Sequence, residues 1–118
     1  MKEGYAVKID FLIVGRTLVA ILQGEVDHHT CVQIRQQVDH EFQKKRAKNL
    51  VFDLECVKFM DSAGIGMLMG RYRNVAICGG SIALVNVRPE TAQLIELSGV
   101  NRLMKIYASQ EQALEVLA

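Results

Sequence analysis

The segment 59–72 places a serine hydroxyl beside a carboxylate at the start of a glycine-rich amphipathic helix. A strand-like run comes first and apolar residues then recur at helical spacing, so the helix begins near Asp61 or Ser62. A serine there can cap the helix by accepting a hydrogen bond from a free first-turn N–H. The same hydroxyl is also our candidate functional centre, and position alone favours the cap.

Small residues leave the first turn of this helix almost bare of side chains, namely Ala63, Gly64 and Gly66. A glycine inside a helix costs about 1 kcal/mol relative to alanine, so the sequence predicts a need for backbone access. Close approach by another protein and close packing within this chain both explain that need. Gly66 and Gly70 also form a G-x-x-x-G pattern, which we attribute to packing on the sheet, because nearby arginines preclude a membrane span.

A phosphate on Ser62 would be tolerated by the fold, because a helix N-terminus favours an anion. The phosphate adds about −1.5 to −2 charges beside Asp61, enough to repel an acidic or desolvated partner surface. A hundredfold loss of affinity needs only about 2.7 kcal/mol. These residues therefore predict a surface switch, in which modification changes binding more than structure.

Motifs of known enzyme classes fit this chain poorly. The helix glycines have the spacing G-x-G-x-x-x-G, one residue longer than a dinucleotide fingerprint, and no P-loop occurs. Ser62 lacks the glycine two positions earlier that a nucleophile elbow requires. Asp53, Glu55 and Asp61 offer carboxylates for acid–base chemistry, but no convincing base stands beside Ser62. We therefore expect neither enzymatic activity nor a cofactor.

Composition restricts the classes of partner. Lysine and arginine total 14 against 13 acidic residues in 118, so no strong field favours nucleic acid or an anionic membrane. The residues are 50% hydrophobic, which suits a single domain spanning 1–118. Apolar windows are too short or too charged to span a bilayer, and residues 1–5 lack a secretory apolar region. We expect a soluble cytoplasmic protein.

The three cysteines, Cys31, Cys56 and Cys78, neighbour apolar residues and form no C-x-x-C pair, so we expect reduced, mostly buried thiols. A metal ion would have to use one short cluster, Asp27, His28, His29 and Cys31. Adjacent histidines point in divergent directions unless the loop bends, and no second ligand cluster follows, so we expect no metal.

The rest of the sequence predicts the elements that hold these residues. Residues 5–22 alternate as a β-hairpin around Gly15-Arg16, and residues 24–29 follow as a loop. Thr30 and Gln33 fit a capping box that begins a first helix, which ends at the basic run 44–46. A strand at 50–54 precedes the Ser62 helix, which stops at two glycines, 79 and 80.

Further strands at 81–85 and 104–107 alternate with helices that begin near Pro89 and after Ser109, where Gln112 completes a second capping box. Gly99 fits the C-terminal cap of the third helix. This order predicts an α/β domain, with a small, mostly parallel or mixed sheet, an N-terminal hairpin and about four packed helices. Helical spacing assigns these side chains to buried helix faces: Cys31, Ile34, Val38, Phe42, Ile65, Leu68, Met69, Tyr72, Val75, Ala76, Leu94, Ile95, Leu97, Ala113, Val116 and Leu117.

Two separated motifs resemble the anti-sigma factor antagonists of the STAS family. They are Phe59-Met60-Asp61-Ser62-Ala63-Gly64-Ile65-Gly66 with Gly70-Arg71-Tyr72, and Gly24-Glu25-Val26-Asp27-His28-His29-Thr30. The Asp-His-His-Thr form is similar to the stage II sporulation branch. The likeness covers nearly the whole chain, and two motifs in the correct order make it specific.

The resemblance implies a non-enzymatic regulator that binds an anti-sigma factor, itself a serine kinase, and frees the sigma factor that it holds. In the family the kinase then phosphorylates the serine of the Asp-Ser-x-Gly motif, here Ser62, and a serine phosphatase restores the binding form. The partner-binding residues that we expect are Asp27, His28, His29, Asp61, Ser62, Ala63, Gly64, Gly66 and Arg71.

Simpler roles exist for part of this set. Without the family match, Asp27, His28 and His29 form a loop that caps the first helix, and Arg71 is an exposed arginine beside a half-buried tyrosine. Two other functions stay open. One is a STAS regulator of a stress-response pathway with a different kinase, and the other is a nucleotide-binding module that receives a phosphate on the free amides near Ser62.

Overall fold

The computed structural model describes residues 7–117, so residues 5 and 6 of the predicted hairpin and the segment 1–5 lie outside the described residues. The elements are β1 (Val7–Val14), β2 (Thr17–Val26), α1 (Cys31–Lys44), β3 (Asn49–Met60), α2 (Ser62–Ile77), β4 (Ile82–Val85), α3 (Pro89–Ser98), a 3-10 turn (Val100–Arg102), β5 (Lys105–Tyr107) and α4 (Gln110–Leu117). This order confirms the predicted α/β class with its hairpin and four helices.

The strands form one mixed sheet in the order β1-β2-β3-β4-β5. β1 pairs antiparallel with β2 across a tight turn in which Gly15 has a positive φ of 61°. The other neighbours are parallel, and parallel neighbours need long crossover connections. Helices α1, α2 and α3 supply those crossovers.

Each face of the sheet has its own helical layer, because successive strand side chains point to opposite faces. Leu18, Ala20 and Leu22 of β2 belong to the larger core cluster, which includes residues of α1, α2 and α3. The intervening Val19 packs in a second cluster with Ala113 of α4. The helix that begins at Ser62 is therefore held on the three-helix face. Among residues 7–117, no helix is both long enough and apolar enough to cross a bilayer.

Strands β2 and β3 are longer than the sequence pattern predicts. The predicted loop at 24–26 is the end of β2, and β3 continues to Met60 instead of stopping at Leu54. The register between the two strands shifts twice, and β3 carries one extra residue at each shift. Such bulges break the alternation on which a strand prediction depends. Both sequence boundaries were therefore wrong.

Most predicted core positions of the helices are confirmed, but three are wrong. Leu97 is 88% exposed, Val116 is 63% exposed, and Ala76 is also exposed. In α2 the buried stripe instead includes Met67, which the sequence pattern missed. The remaining buried positions of α2 are Gly64, Leu68, Arg71 and Val75. A glycine and an arginine interrupt the apolar signal of that stripe, so hydrophobic spacing alone selected the wrong neighbours.

The predicted glycine caps are largely confirmed. Gly79 after α2 and Gly99 after α3 have positive φ values of 78° and 83°. Gly80 is not left-handed, contrary to the expectation that both glycines would be. The second capping box is half correct: Ser109 Oγ accepts from the Gln112 N–H at 3.2 Å, but the Gln112 side chain accepts from Ala108 rather than from Ser109.

Candidate functional site

The two sequence motifs meet because β2 and β3 end side by side. Val26 and Met60 are register partners at the ends of these parallel strands, and the Asp61 N–H donates to the Val26 carbonyl at 3.2 Å. The loop after β2 and the first turn of α2 therefore lie at the same edge of the sheet. Carboxyl ends of parallel strands are where such folds gather binding groups.

Asp61, not Ser62, is the N-cap of α2. Asp61 Oδ1 accepts hydrogen bonds from the backbone N–H groups of Ala63 and Gly64 at 2.9 and 3.2 Å. Ser62 is the first helical residue and is exposed, and its hydroxyl makes no hydrogen bond to any other residue of the described range 7–117. The capping role that position alone favoured for Ser62 is therefore wrong.

The glycines of α2 have different surroundings. A Cβ on Gly64 would lie 2.5 Å from Met60 Cγ and 3.1 Å from the Val26 carbonyl oxygen, so packing within the chain requires this glycine. A Cβ on Gly66 or Gly70 would meet no atom within 4 Å. Close packing on the sheet was therefore the wrong explanation for the G-x-x-x-G pattern. Its two glycines border open space.

Asp27 holds the loop together from inside. Its carboxylate accepts from the N–H groups of His29 and Thr30 at 2.9 and 3.1 Å, and the residue is only 7% exposed. Burial by itself raises the pKa of Asp27, but the hydrogen bonds from Thr30 and His29 outweigh burial and leave the pKa below its ordinary value. The main role of this carboxylate in the structure is to order the loop.

Thr30 precedes α1 without forming the predicted capping box. Its hydroxyl donates to the Glu25 carbonyl at 2.7 Å and accepts from the Asp27 N–H at 3.0 Å. No side-chain capping bond is made at this helix end. The Thr30 hydroxyl therefore closes the loop. The spacing of Thr30 and Gln33 fits this role and helix capping equally well, so the sequence could not separate them.

His28 and His29 carry the exposed side chains of the loop. His28 Nδ1 lies 3.8 Å from Asp61 Oδ2, and this contact connects the loop to the cap of α2. The two imidazole rings are 4.0 Å apart with a 37° tilt, so the loop bends and the rings do not diverge. No group of three His, Cys, Asp or Glu side chains within residues 7–117 is placed to hold a metal ion.

Arg71 is buried, so its interpretation as an exposed arginine was wrong. The residue is 6% exposed, and its Nε lies 2.8 Å from Asp39 Oδ1 of α1. Its Nη1 donates to the Met67 carbonyl at 3.4 Å. Burial lowers the pKa of the guanidinium, an effect that Asp39 opposes and Arg35 reinforces. Arg71 therefore joins α1 to α2.

The cysteines are free, as expected, but they are not mostly buried. Cys56 and Cys78 are exposed, and Cys31 is half-buried. Burial, with smaller contributions from Asp61 and Asp27, raises the pKa of the Cys31 thiol to about 11. Apolar sequence neighbours misled the prediction for the other two, because Val57 is buried beside exposed Cys56, and Ile77 beside Cys78 is itself 83% exposed.

The three carboxylates considered for acid–base chemistry do not form one site. Asp53 is buried on the α4 side of the sheet, where it accepts from Gln110 Nε2 at 2.7 Å and from Asn86 Nδ2 at 3.2 Å. Asp61 caps α2 in the opposite layer. Asp53 therefore links β3 to α4, a structural role that local sequence did not indicate.

Two exposed apolar residues near the site were not predicted as contacts. Phe59, at the end of β3, and Val32, in the first turn of α1, are each 51% exposed. Phe59 was missed because the predicted strand ended too early. Val32 was missed because it lies outside the buried stripe of α1, although that position itself marks an outward-facing side chain.

Comparison with known proteins agrees with this architecture. The STAS domain family matches residues 8–113. The anti-sigma F factor antagonist of Paenibacillus polymyxa is 37% identical over 100 residues, which cover 85% of this chain and 86% of that protein. Both the family match and this relative include the loop after β2 and the whole of α2.

Two solved structures are also similar. The anti-sigma factor antagonist SpoIIAA in its unphosphorylated form superposes with a TM-score of 0.79 at 30% identity, over 92% of this chain and 94% of that one. The Bacillus cell fate determinant SpoIIAA in its phosphorylated form gives a TM-score of 0.74 at 29% identity, over 94% and 100%. The chain therefore belongs to the STAS family, among the anti-sigma factor antagonists.

Proposed function

We propose that this chain binds an anti-sigma factor that is a serine kinase, displaces the sigma factor and is inactivated by phosphorylation at Ser62. The observation that carries the proposal is the division between Asp61, which caps α2, and Ser62, whose exposed hydroxyl has no partner among residues 7–117. A kinase can reach that hydroxyl without first breaking the cap. A related protein solved in a phosphorylated form supports the same chemistry.

The binding surface in this proposal consists of the exposed loop and the first turns of α2. His28 and His29 contribute side chains, whereas Ala63 and Gly66 contribute a nearly bare backbone surface. Asp27, Asp61 and Gly64 act indirectly, because they order the loop, cap the helix and permit its packing. Arg71 acts from its buried position between α1 and α2.

Phosphate on Ser62 changes this surface more than the fold. The N-terminus of α2 favours an anion, but the Asp61 carboxylate already occupies the N–H groups of Ala63 and Gly64. The new charge therefore remains at the surface and opposes binding by repulsion and by its desolvation cost. The same occupied amides argue against nucleotide phosphate as the natural ligand of this turn. We infer a cytoplasmic, non-catalytic regulator, reset by a serine phosphatase and working in sporulation.

A displacement assay tests this function. The complex of the Paenibacillus polymyxa anti-sigma F factor with its fluorescently labelled sigma factor would be titrated with the wild-type chain, Ser62→Ala and Ser62→Asp. We expect wild type and Ser62→Ala to release the sigma factor, and Ser62→Asp to need at least about tenfold more protein. A parallel titration with an anti-sigma kinase of a stress-response pathway identifies the pathway. Sigma factor that stays bound in both complexes would contradict the proposal.

A further inference from the structure

Helices α1 and α2 leave an open groove that begins beside Ser62. The α1–α2 groove has a volume of about 290 Å³, and the residues that matter here are Val32, Arg35, Ala63, Gly66, Gly70 and Arg71. Ala63 directly follows Ser62, and Gly66 and Gly70 continue the same side of α2 over two turns. The groove is therefore continuous with the surface around the proposed phosphoacceptor.

No packing within the described chain accounts for the bare floor of this groove. A Cβ on Gly66 or Gly70 would meet nothing within 4 Å, in contrast to Gly64. Each glycine inside a helix costs about 1 kcal/mol relative to alanine, although Gly66 and Gly70 have space for a methyl group. Helix α2 therefore has two destabilising glycines at positions where their small size favours only the approach of another molecule.

The groove also has an excess of positive charge. Arg71 is 6% exposed, and its charge is paired with Asp39, but no acceptor among residues 7–117 takes a hydrogen bond from its Nη2 group. Arg35 adds a second guanidinium at the exposed wall, so two cations line a groove to which Asp39 contributes no surface. A carboxylate that enters the groove would face both guanidinium groups, and hydrogen bonds between a guanidinium and a carboxylate are strong because both partners are charged.

We propose that the α1–α2 groove receives a segment of the anti-sigma factor that carries a carboxylate next to an apolar side chain. The carboxylate pairs with Arg35 and with the free donor of Arg71, and the apolar side chain packs on half-exposed Val32 over the backbone at Gly66 and Gly70. This inference rests on the proposed function. A kinase that reaches the Ser62 hydroxyl also covers Ala63, and Ala63 is where the groove begins.

Binding to the Paenibacillus polymyxa anti-sigma F factor in the presence of ADP tests the groove by calorimetry. Arg35→Glu replaces a positive charge of the groove with a negative one, and Gly66→Leu fills the groove with a side chain. Both variants should weaken binding by about tenfold or more. Matched controls on α2 are Arg73→Glu and Ala76→Leu, which introduce the same side chains at exposed residues outside the groove, and their binding should stay within about twofold of wild type. Raising the salt concentration should weaken wild-type binding more than Arg35→Glu binding.

Gly66→Ala separates contact from stability, because this variant should unfold at a higher urea concentration and still bind less tightly. Wild-type binding with no loss in any groove variant would overturn the groove assignment and leave the proposed function standing. Absence of wild-type binding both to this factor and to the anti-sigma kinase of a stress-response pathway would overturn the groove assignment and the proposed function together. The groove could instead bind a second copy of this chain, and sedimentation of the free variants tests that alternative. If the groove variants change self-association but not kinase binding, our assignment of the groove is wrong.

Discussion

Asp61 and Ser62 are neighbours at the start of α2, and the structure gives them separate roles. The Asp61 carboxylate accepts from the Ala63 N–H at 2.9 Å, whereas the Ser62 hydroxyl is exposed and makes no bond within residues 7–117. Because the cap does not use Ser62, that residue is available for modification without loss of the helix end. This separation is the basis for the proposed switch and for the first prediction.

Asp61→Ala should lower the free energy of unfolding by about 1 kcal/mol, because two first-turn N–H groups lose their acceptor. Asp61→Asn is the matched control, since its side-chain oxygen can still accept, and it should lose much less. Urea denaturation of the two variants and of Ser62→Ala measures the difference. A loss for Ser62→Ala as large as that for Asp61→Ala would contradict the assignment of the cap.

The two kinds of glycine in α2 should respond oppositely to alanine. Gly64→Ala should destabilise the chain by about 1–3 kcal/mol, because the added methyl overlaps Met60 and approaches the Val26 backbone. Gly70→Ala should stabilise the chain by up to about 1 kcal/mol, because the methyl enters open space and helix propensity improves. The urea midpoints of unfolding measure both changes. If both variants shifted the midpoint in the same direction, the surroundings of these glycines would differ from those described.

Asp27 should make unfolding depend on pH in the acidic range. Its folded pKa is lowered, so its contribution to stability is complete above the unfolded value of about 3.9 and is lost as pH falls through the folded pKa. The free energy of unfolding of wild type should therefore fall more steeply below about pH 5 than that of Asp27→Asn, whose amide cannot titrate. Parallel profiles for the two proteins would exclude a depressed pKa at this residue.

The three thiols should react in a fixed order. The raised pKa of Cys31, about 11 against an ordinary 9.0, reduces its thiolate fraction at pH 8 about a hundredfold, and the residue is also partly buried. Iodoacetamide should thus modify exposed Cys56 and Cys78 first. Peptide mapping against time measures the order, and early modification of Cys31 would contradict both its burial and its pKa.

The sequence predicted most of the fold because strong local signals agreed with the tertiary structure. The Gly15-Arg16 turn, Pro89 at the start of α3 and the Gly99 cap all lie where their backbone preferences place them. The second half of β3 was missed for a physical reason. Two bulges shift its side chains between faces, and a strand that changes faces has no simple period.

The two sequence motifs lie together in the structure, but the structural roles of several of their residues differ from those predicted. Local sequence does not distinguish which of two adjacent polar residues caps a helix, so the capping role was predicted for Ser62 and belongs to Asp61. Arg71 was expected at the surface because its partner, Asp39, lies 32 positions earlier on another helix. Contacts between elements likewise decide that Gly64 is packed and Gly66 is open, and no local pattern contains that information.

The most direct test of the central claim is intact-mass analysis with peptide mapping after incubation with the Paenibacillus polymyxa anti-sigma F factor and ATP. We predict one added phosphate, located on Ser62, and no phosphate on Ser62→Ala, which retains the Asp61 cap. The antagonist from the same organism serves as the positive control for kinase activity. An unmodified chain beside a phosphorylated control, or a phosphate on any other residue, would contradict the account.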